Sequence, residues 1–98
     1  MPDLRFDWDP VKARANVRKH GVSFEEAESV FFDEHAQLLN DPDHSASEER
    51  FVLLGLSDRF RVLVVMHVYR EEEAVIRLVS ARRATRAERA RYDERWKP

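Results

Sequence analysis

The chain has 98 residues, 43% of them hydrophobic and ten aromatic, which is enough apolar material for one domain, residues 1–98, with a single core. It has no cysteine, which excludes disulfide bonds and thiolate chemistry, and its N-terminus has no apolar segment typical of a signal peptide or membrane span, so we expect a cytoplasmic protein. The net charge is −2, but residues 1–49 carry 5 Lys/Arg against 12 Asp/Glu and residues 50–98 carry 12 against 7. This asymmetry indicates a basic surface in the second half.

The first third of the chain predicts a strand and two helices. Asp9 before Pro10 is typical of an N-cap followed by proline at the first helical position, and Gly21 is a helix stop. Ser23 and Glu26 fit a capping box for the next helix. The predicted elements here are a strand over 5–8, a helix over 10–19 and a helix over 24–32.

Strand-like stretches rich in Val, Leu, Ile and Phe fill most of the remainder. The short gaps at 58–59 and 70–73 favour antiparallel hairpins. Thr85 and Glu88 form another capping box, which opens a final helix. The predicted elements here are strands over 51–57, 60–69 and 74–80, a weaker strand over 36–40, and a helix over 85–96.

This order of elements predicts an α+β domain. Two N-terminal helices and a C-terminal helix would cover one face of an antiparallel four-stranded sheet that also has a short N-terminal strand, leaving the other face free for binding. Alternation along 60–69 assigns the residues of the longest strand to these two faces. The core face would hold Phe60, Val62, Val64, Met66 and Val68, and the free face Arg61, Leu63, Val65, His67 and Tyr69.

A dense group of arginines follows the last strand, at the point where it passes into the final helix. Guanidinium groups are always charged and present a planar fork of donors that fits phosphate, so nucleic acid is the first candidate partner. An ordinary solvated surface is the alternative. Arg77 lies between Val75 and Val79 on one strand face, which is a costly place for a charge without a partner or a ligand.

Five segments in order carry a family resemblance: FDWDP at 6–10, RKHGV with FEEA at 18–27, ERF leading to LGL at 49–56, VMH at 65–67, and IRLVSARRAT at 76–85. They resemble the BrnT toxins of bacterial type II toxin–antitoxin systems over nearly the whole chain. The resemblance implies a compact RelE-like ribonuclease fold and arrest of translation by RNA cleavage. It also implies a BrnA-like antitoxin with a ribbon-helix-helix domain, joint repression of the operon with operator DNA bound only through the antitoxin, and a dimer of toxin–antitoxin pairs.

Metal-free RNA cleavage needs help in deprotonating the 2′-hydroxyl, positive charge to stabilise the transition state, and a proton for the departing 5′-oxygen. The histidines at 20, 35, 44 and 67 lack the spacing of a zinc-binding helix, and no carboxylates cluster with them, so we expect no metal and no cofactor. The chemistry then falls to Lys, Arg, His, Tyr and Glu. This agrees with the resemblance, because RelE-like ribonucleases have basic sites whose acid and base residues vary.

Arg77, Arg82 and Arg83 are the candidates for transition-state stabilisation, His67 is the candidate general acid or base, and Lys19 completes the catalytic set. The alternatives are structural. Arg77 would pair with an acid such as Glu49, the other two arginines would be solvated, and the histidine would be buried and satisfied by a hydrogen bond.

His20, Arg50, Arg86 and Arg89 are candidates for RNA binding, and Glu49 is a candidate general base. Each has a structural alternative as well. A cation at the end of the first helix also interacts favourably with the helix dipole, Glu49 and Arg50 suit an ion pair, and the last-helix arginines suit a solvated surface. Tyr92 and Trp96 would either stack on bases or dock the final helix.

Two other functional classes remain open. A non-catalytic nucleic-acid-binding module would lose affinity steeply with salt and would not cleave RNA. A protein-interaction domain would use the basic surface to receive an acidic partner and would not bind RNA. Only a toxin predicts both RNA cleavage and a protein partner.

Overall fold

The computed structural model describes residues 4–40, 50–70, 72 and 74–94. The elements are β1 (Arg5–Asp7), α1 (Pro10–His20), α2 (Phe24–Ser29) with a 3₁₀ turn (Val30–Phe32), β2 (Gln37–Asn40), β3 (Phe51–Leu56), β4 (Val62–Arg70), β5 (Val75–Arg83) and α3 (Arg86–Glu94). They form a five-stranded sheet in the order β1-β5-β4-β3-β2. The α+β class is therefore confirmed.

The sheet is mixed rather than antiparallel, which corrects the prediction. The pairs β2–β3, β3–β4 and β4–β5 are antiparallel, whereas β1 runs parallel to β5. The three antiparallel pairs join strands that are consecutive in the sequence. No hairpin sets the direction of β1, because β1 lies near the start of the chain and its partner β5 lies near the end.

All three helix starts have the predicted N-cap contact, but the capping box at Ser23 is only half formed, because the Glu26 carboxylate binds Arg61 and Ser57 instead of the Ser23 N–H. The Asp9 carboxylate accepts a hydrogen bond from the Val11 N–H at 2.8 Å, and the Ser23 hydroxyl accepts one from the Glu26 N–H at 3.0 Å. At the third start, the Thr85 hydroxyl accepts from the N–H of residue 88 at 3.2 Å. Such contacts satisfy amide groups that have no partner within the helix.

Helices pack on both faces of the sheet, so the prediction that all of them cover one face is wrong. The face under α1 and α2 includes Leu63 and Val65 of β4, which are fully buried. On the other face, Val62 and Val64 pack against Tyr92 of α3. This half of β4 is buried on both sides, because the apolar residues at alternate positions each meet a helix.

Side-chain hydrogen bonds fix where α1 and α3 lie. Buried Asn16 of α1 donates to the carbonyls of Ala81 and Val22, both at 2.8 Å, and accepts from the Ala81 N–H at 3.1 Å. On α3, the Tyr92 hydroxyl donates to Asp33 at 2.7 Å. Tyr92 is 3% exposed, so it docks the helix rather than stacking on bases, whereas Trp96 lies outside the described residues.

A buried ion pair joins α2 to the turn between β3 and β4. Glu26, which is 3% exposed, accepts two hydrogen bonds from the Arg61 guanidinium, the one from Nε at 2.9 Å, and a third from the Ser57 hydroxyl at 2.7 Å. Arg61 also donates to the Gly21 carbonyl at 3.2 Å. Arg61 therefore belongs to this structural network rather than to a free sheet face.

Candidate functional site

Three arginines lie on the sheet face opposite α1 and α2, beyond the part that α3 covers. Arg82 pairs in register with Val64, whose side chain packs against Tyr92. Arg77 pairs with Val68, which lies four residues further along β4 and on the same side. Arg50 precedes β3, and its guanidinium lies 3.9 Å from the Met66 sulfur. Arg50, Arg77 and Arg82 together form what we call the arginine face.

Arg82 is oriented by Glu88 at the start of α3. Its two terminal nitrogens donate to the two carboxylate oxygens at 2.7 and 2.9 Å, and one of these oxygens also accepts from the Thr85 N–H at 2.8 Å. The guanidinium beside Glu88, together with the Thr85 contacts, lowers the pKa of that carboxyl to about 2. The Arg82 side chain is still 42% exposed, so its outer edge can accept a further anion.

Arg77 has a weaker partner. It pairs with Asp7 of β1 at 3.2 Å, and both side chains are partly exposed. This confirms that an acid partners Arg77, although the acid is Asp7, and Glu49 lies outside the described residues. Exposed pairs of this kind contribute little to stability, so a phosphate could replace the carboxylate at small cost.

Arg50 is the least satisfied cation of the arginine face. Among the described residues its buried Nε atom has no hydrogen-bond partner, and a terminal nitrogen reaches only the Met66 sulfur, a weak acceptor. A desolvated N–H group without an acceptor costs about 1–3 kcal/mol, and more when the group is charged. An anion bound to the terminal nitrogens of Arg50 would stabilise the charge and so offset part of that cost.

His67 lies on the opposite face of the sheet, away from the arginine face. It is 4% exposed, its ring packs edge-on against Phe31 at 4.8 Å, and its Nδ1 lies 3.3 Å from the Val65 carbonyl oxygen. Burial lowers its pKa, so the ring is neutral at physiological pH. It lines a largely apolar cavity of about 510 Å³ with Phe51 and Tyr69 among its walls.

Lys19, His20 and Arg83 lie at one end of the sheet on the α1 side. Arg83 pairs with Leu63, whose side chain is buried under α1 and α2, so it points to the face opposite Arg82. The predicted arginine trio is thus divided between the two faces. Lys19 and His20 are in the last turn of α1, a position that suits both the helix dipole and RNA binding.

The remaining candidates are on or near the surface of α3. Arg86 and Arg89 are exposed, which suits phosphate contacts and a solvated surface equally well. Within residues 4–40, 50–70, 72 and 74–94, no group of three or more His, Asp or Glu residues could hold a metal ion. No helix in the described part of the chain is long and apolar enough to cross a membrane.

Asp7 and Glu88 are the partners that sequence reasoning missed. The Thr85–Glu88 capping box was recognised, but the ion pair of Glu88 with Arg82 depends on how α3 turns back over the sheet. The β1–β5 pairing that brings Asp7 opposite Arg77 is equally non-local. Neither contact has a signal in the local sequence.

This chain matches known proteins in two comparisons. A family model described as "Ribonuclease toxin, BrnT, of type II toxin-antitoxin system" matches residues 8–88. The 1.1 Å crystal structure of the Brucella abortus ribonuclease toxin BrnT has a TM-score of 0.65 and 20% sequence identity, and the match covers 86% of this chain and 100% of that chain. At this identity the structural likeness shows the fold. No curated protein sequence matches this chain.

Proposed function

The chain belongs to the BrnT family of ribonuclease toxins of type II toxin–antitoxin systems, and we propose that it cleaves RNA without a metal ion on the arginine face. The observation that carries this proposal is Arg50, whose guanidinium has no oxygen acceptor within the part of the chain that the structure describes. The terminal nitrogens of this guanidinium have only the Met66 sulfur as an acceptor among the described residues, so an anion bound to them would stabilise the charge, and the phosphate of RNA fits their donor geometry.

The arginine face supplies the charge that RNA cleavage requires. Attack of the 2′-oxygen on phosphorus expels the 5′-oxygen, leaving a 2′,3′-cyclic phosphate and a 5′-hydroxyl, with negative charge building up on the phosphoryl oxygens. Arg50, Arg77 and Arg82 would donate hydrogen bonds to those oxygens. Preorganised donors are effective because they need no rearrangement during the reaction, and Glu88 holds Arg82 in place through two hydrogen bonds.

Proton transfer is assigned differently from the sequence-based expectation. His67 is left out of the chemistry, because its ring is buried on the opposite face and its pKa is lowered. Glu49 stays the candidate general base, because it directly precedes Arg50 in the chain. Arg86 and Arg89 would contact phosphates beside the arginine face. Arg83 points to the opposite face from Arg82, and Lys19 and His20 lie at the end of α1 on that opposite side, so these three are left out of the chemistry.

The biological setting forms a second part of the proposal. Membership of a type II toxin–antitoxin family implies an antitoxin partner. We propose that this partner is a BrnA-like ribbon-helix-helix protein that binds operator DNA for both proteins, in a dimer of toxin–antitoxin pairs. RNA cleavage in the cytoplasm would then inhibit translation, and the domain would be RelE-like in fold.

The pair Arg82 and Glu88 provides the test. We expect the purified wild-type chain to cleave a long single-stranded RNA in excess chelator, leaving 2′,3′-cyclic phosphate ends. Arg82→Ala should slow cleavage about tenfold, because one charge-assisted contact to phosphate is lost. Glu88→Gln breaks the same ion pair and keeps the arginine, so its rate of RNA cleavage should be within a few-fold of the wild-type rate.

A purely structural role for Arg82 predicts a different pattern, in which both variants lose activity equally because both lose the ion pair. Absence of cleavage by the wild type, with ribosomes also supplied, would contradict the ribonuclease proposal and favour the non-catalytic binding module. Cleavage that requires added Mg²⁺ would contradict only the proposal that the reaction needs no metal ion. The RNA ends and the rates, read from the same gels, separate these outcomes.

A further inference from the structure

The turn between β3 and β4 holds a phenylalanine in an unusual backbone conformation. Phe60 has a φ of +61° and its side chain is 81% exposed. Residues other than glycine rarely adopt this conformation, and an aromatic residue gains nothing locally from it. Strain of this kind is retained where the surrounding structure enforces it, often at functional positions.

Ser57 enforces the conformation of this turn. Its N–H donates to the Arg61 carbonyl at 2.8 Å, and its carbonyl accepts from the Phe60 N–H at 3.0 Å. Its hydroxyl accepts from the N–H groups of Arg59 and Arg61 at 3.2 and 3.3 Å. The turn is therefore rigid, and it holds the Phe60 ring out into the solvent at a fixed place.

Cationic side chains surround this turn. The bond from Arg61 to the Gly21 carbonyl brings the end of α1, and with it Lys19, beside the turn. The bond from the Ala84 N–H to the Val62 carbonyl, at 2.9 Å, brings the end of β5 to the same place. We call Lys19, Arg59, Phe60 and Arg83 the turn surface.

The cations of the turn surface are available to a ligand. Lys19, Arg59 and Arg83 are exposed, and they form no ion pair within the described part of the chain. The acid of the turn, Asp58, has its N–H bound to the Ser29 hydroxyl at 2.9 Å and lines a separate cleft beside α2. An isolated aromatic ring among unpaired cations suits a nucleic-acid base flanked by phosphates better than an apolar protein segment.

We propose that the turn surface binds single-stranded RNA, with Phe60 stacked on one unpaired base and Lys19, Arg59 and Arg83 contacting the phosphates on either side. This inference rests on the proposed function, and it adds a second contact area outside the arginine face. Arg82 and Arg83 are neighbours in β5 that point to opposite faces. An RNA strand that crosses the end of β5 would therefore reach both areas, and Phe60 would hold a nucleotide away from the point of cleavage.

Phe60→Gly gives the sharpest test, because we expect it to stabilise the protein while it weakens RNA binding. Glycine accepts a positive φ without strain, so the melting temperature should rise. Affinity for a short, fluorescently labelled single-stranded RNA with 2′-O-methyl riboses, measured by anisotropy, should fall about tenfold because base stacking is lost. Phe60→Trp should keep the affinity. Phe32→Ala, which removes another exposed phenylalanine (76% exposed) beside acidic residues, should also keep it.

Wild-type cleavage of unmodified RNA, run in parallel, separates this inference from the proposal on which it rests. If the wild type cleaves RNA and Phe60→Gly binds the labelled RNA as tightly as wild type, the proposal that the turn surface binds RNA is wrong. The proposal for the arginine face is then unaffected. A protein partner would then be the explanation for the exposed ring. If the wild type neither cleaves nor binds RNA, both ideas fall together.

Discussion

Arg50→Met should reduce the rate of RNA cleavage by about a hundredfold, the usual effect of removing one donor to a developing oxyanion, because no acid competes with the phosphate for this guanidinium among the described residues. It should do so without reducing the free energy of unfolding, and should even increase it slightly. The reason is that Arg50 buries an Nε–H group that has no acceptor in residues 4–40, 50–70, 72 and 74–94, so the folded protein bears a desolvation cost that methionine removes. Cleavage rates on single-stranded RNA in chelator, together with urea unfolding curves, measure both effects.

Arg14→Met is the matched control, because Arg14 is exposed on α1, on the other side of the sheet. It should cleave RNA as fast as wild type. Arg50→Lys should recover little of the lost rate, since an ammonium group cannot present the planar fork of a guanidinium. An Arg50→Met variant with wild-type activity, or one whose loss of activity follows an equal loss of stability, would contradict a role for Arg50 in binding phosphate.

Glu26→Gln should lower the free energy of unfolding by about 3 kcal/mol at neutral pH, which is the largest stability effect we expect. The change leaves the Arg61 guanidinium without its charged partner in a largely buried network, and breaking such a pair typically costs about 3–5 kcal/mol. The lower end of that range applies because Arg61 retains some exposure and its bond to the Gly21 carbonyl. Urea unfolding of the two proteins measures the difference.

The pH dependence of stability gives the same prediction a second readout. The hydrogen bonds from Arg61 lower the pKa of Glu26 below its ordinary value of 4.5, so the folded state binds this proton less readily than the unfolded state does. The stabilisation is therefore complete above about pH 4.5 and is lost as the pH falls through the lower, folded-state pKa. Glu26→Gln should flatten this part of the profile.

Glu25→Gln is the control for that experiment, since Glu25 is the adjacent, exposed carboxylate of the same helix turn. Its substitution should change stability by less than about 0.5 kcal/mol. If the free energy of unfolding of Glu26→Gln also differs from that of wild type by less than about 0.5 kcal/mol, the network around Glu26 contributes nothing to stability. The view of Arg61 as a structural rather than a functional arginine would then fail.

Local signals predicted the fold best. The caps at Asp9, Ser23 and Thr85 depend only on residues two or three positions away, and each one occurs as predicted. The face on which α3 packs was not predictable in this way, because it is set by the bond between Tyr92 and Asp33, which are 59 positions apart. Phe60 was assigned to a strand on its apolar character, whereas the hydrogen bonds of Ser57 place it in a turn.

The candidate site was predicted only in part, for a related reason. The apolar pattern predicts that the strand ends at residue 80, which places Arg82 and Arg83 together in one cluster after it. In fact β5 continues to Arg83, and neighbouring residues of a strand point to opposite faces. His67 was placed on a free face because alternation alone does not show which side of a sheet the helices cover.

The most direct test of RNA binding by the arginine face is the Nε–Hε region of a ¹H–¹⁵N NMR spectrum, recorded while a non-cleavable single-stranded RNA is added. We predict that the Arg50 signal shifts as its guanidinium gains a phosphate acceptor, together with those of Arg77 and Arg82. The signal of Arg61, whose Nε is already bound to Glu26, should stay in place. An unmoved Arg50 signal at RNA concentrations that saturate the protein would contradict binding at the arginine face.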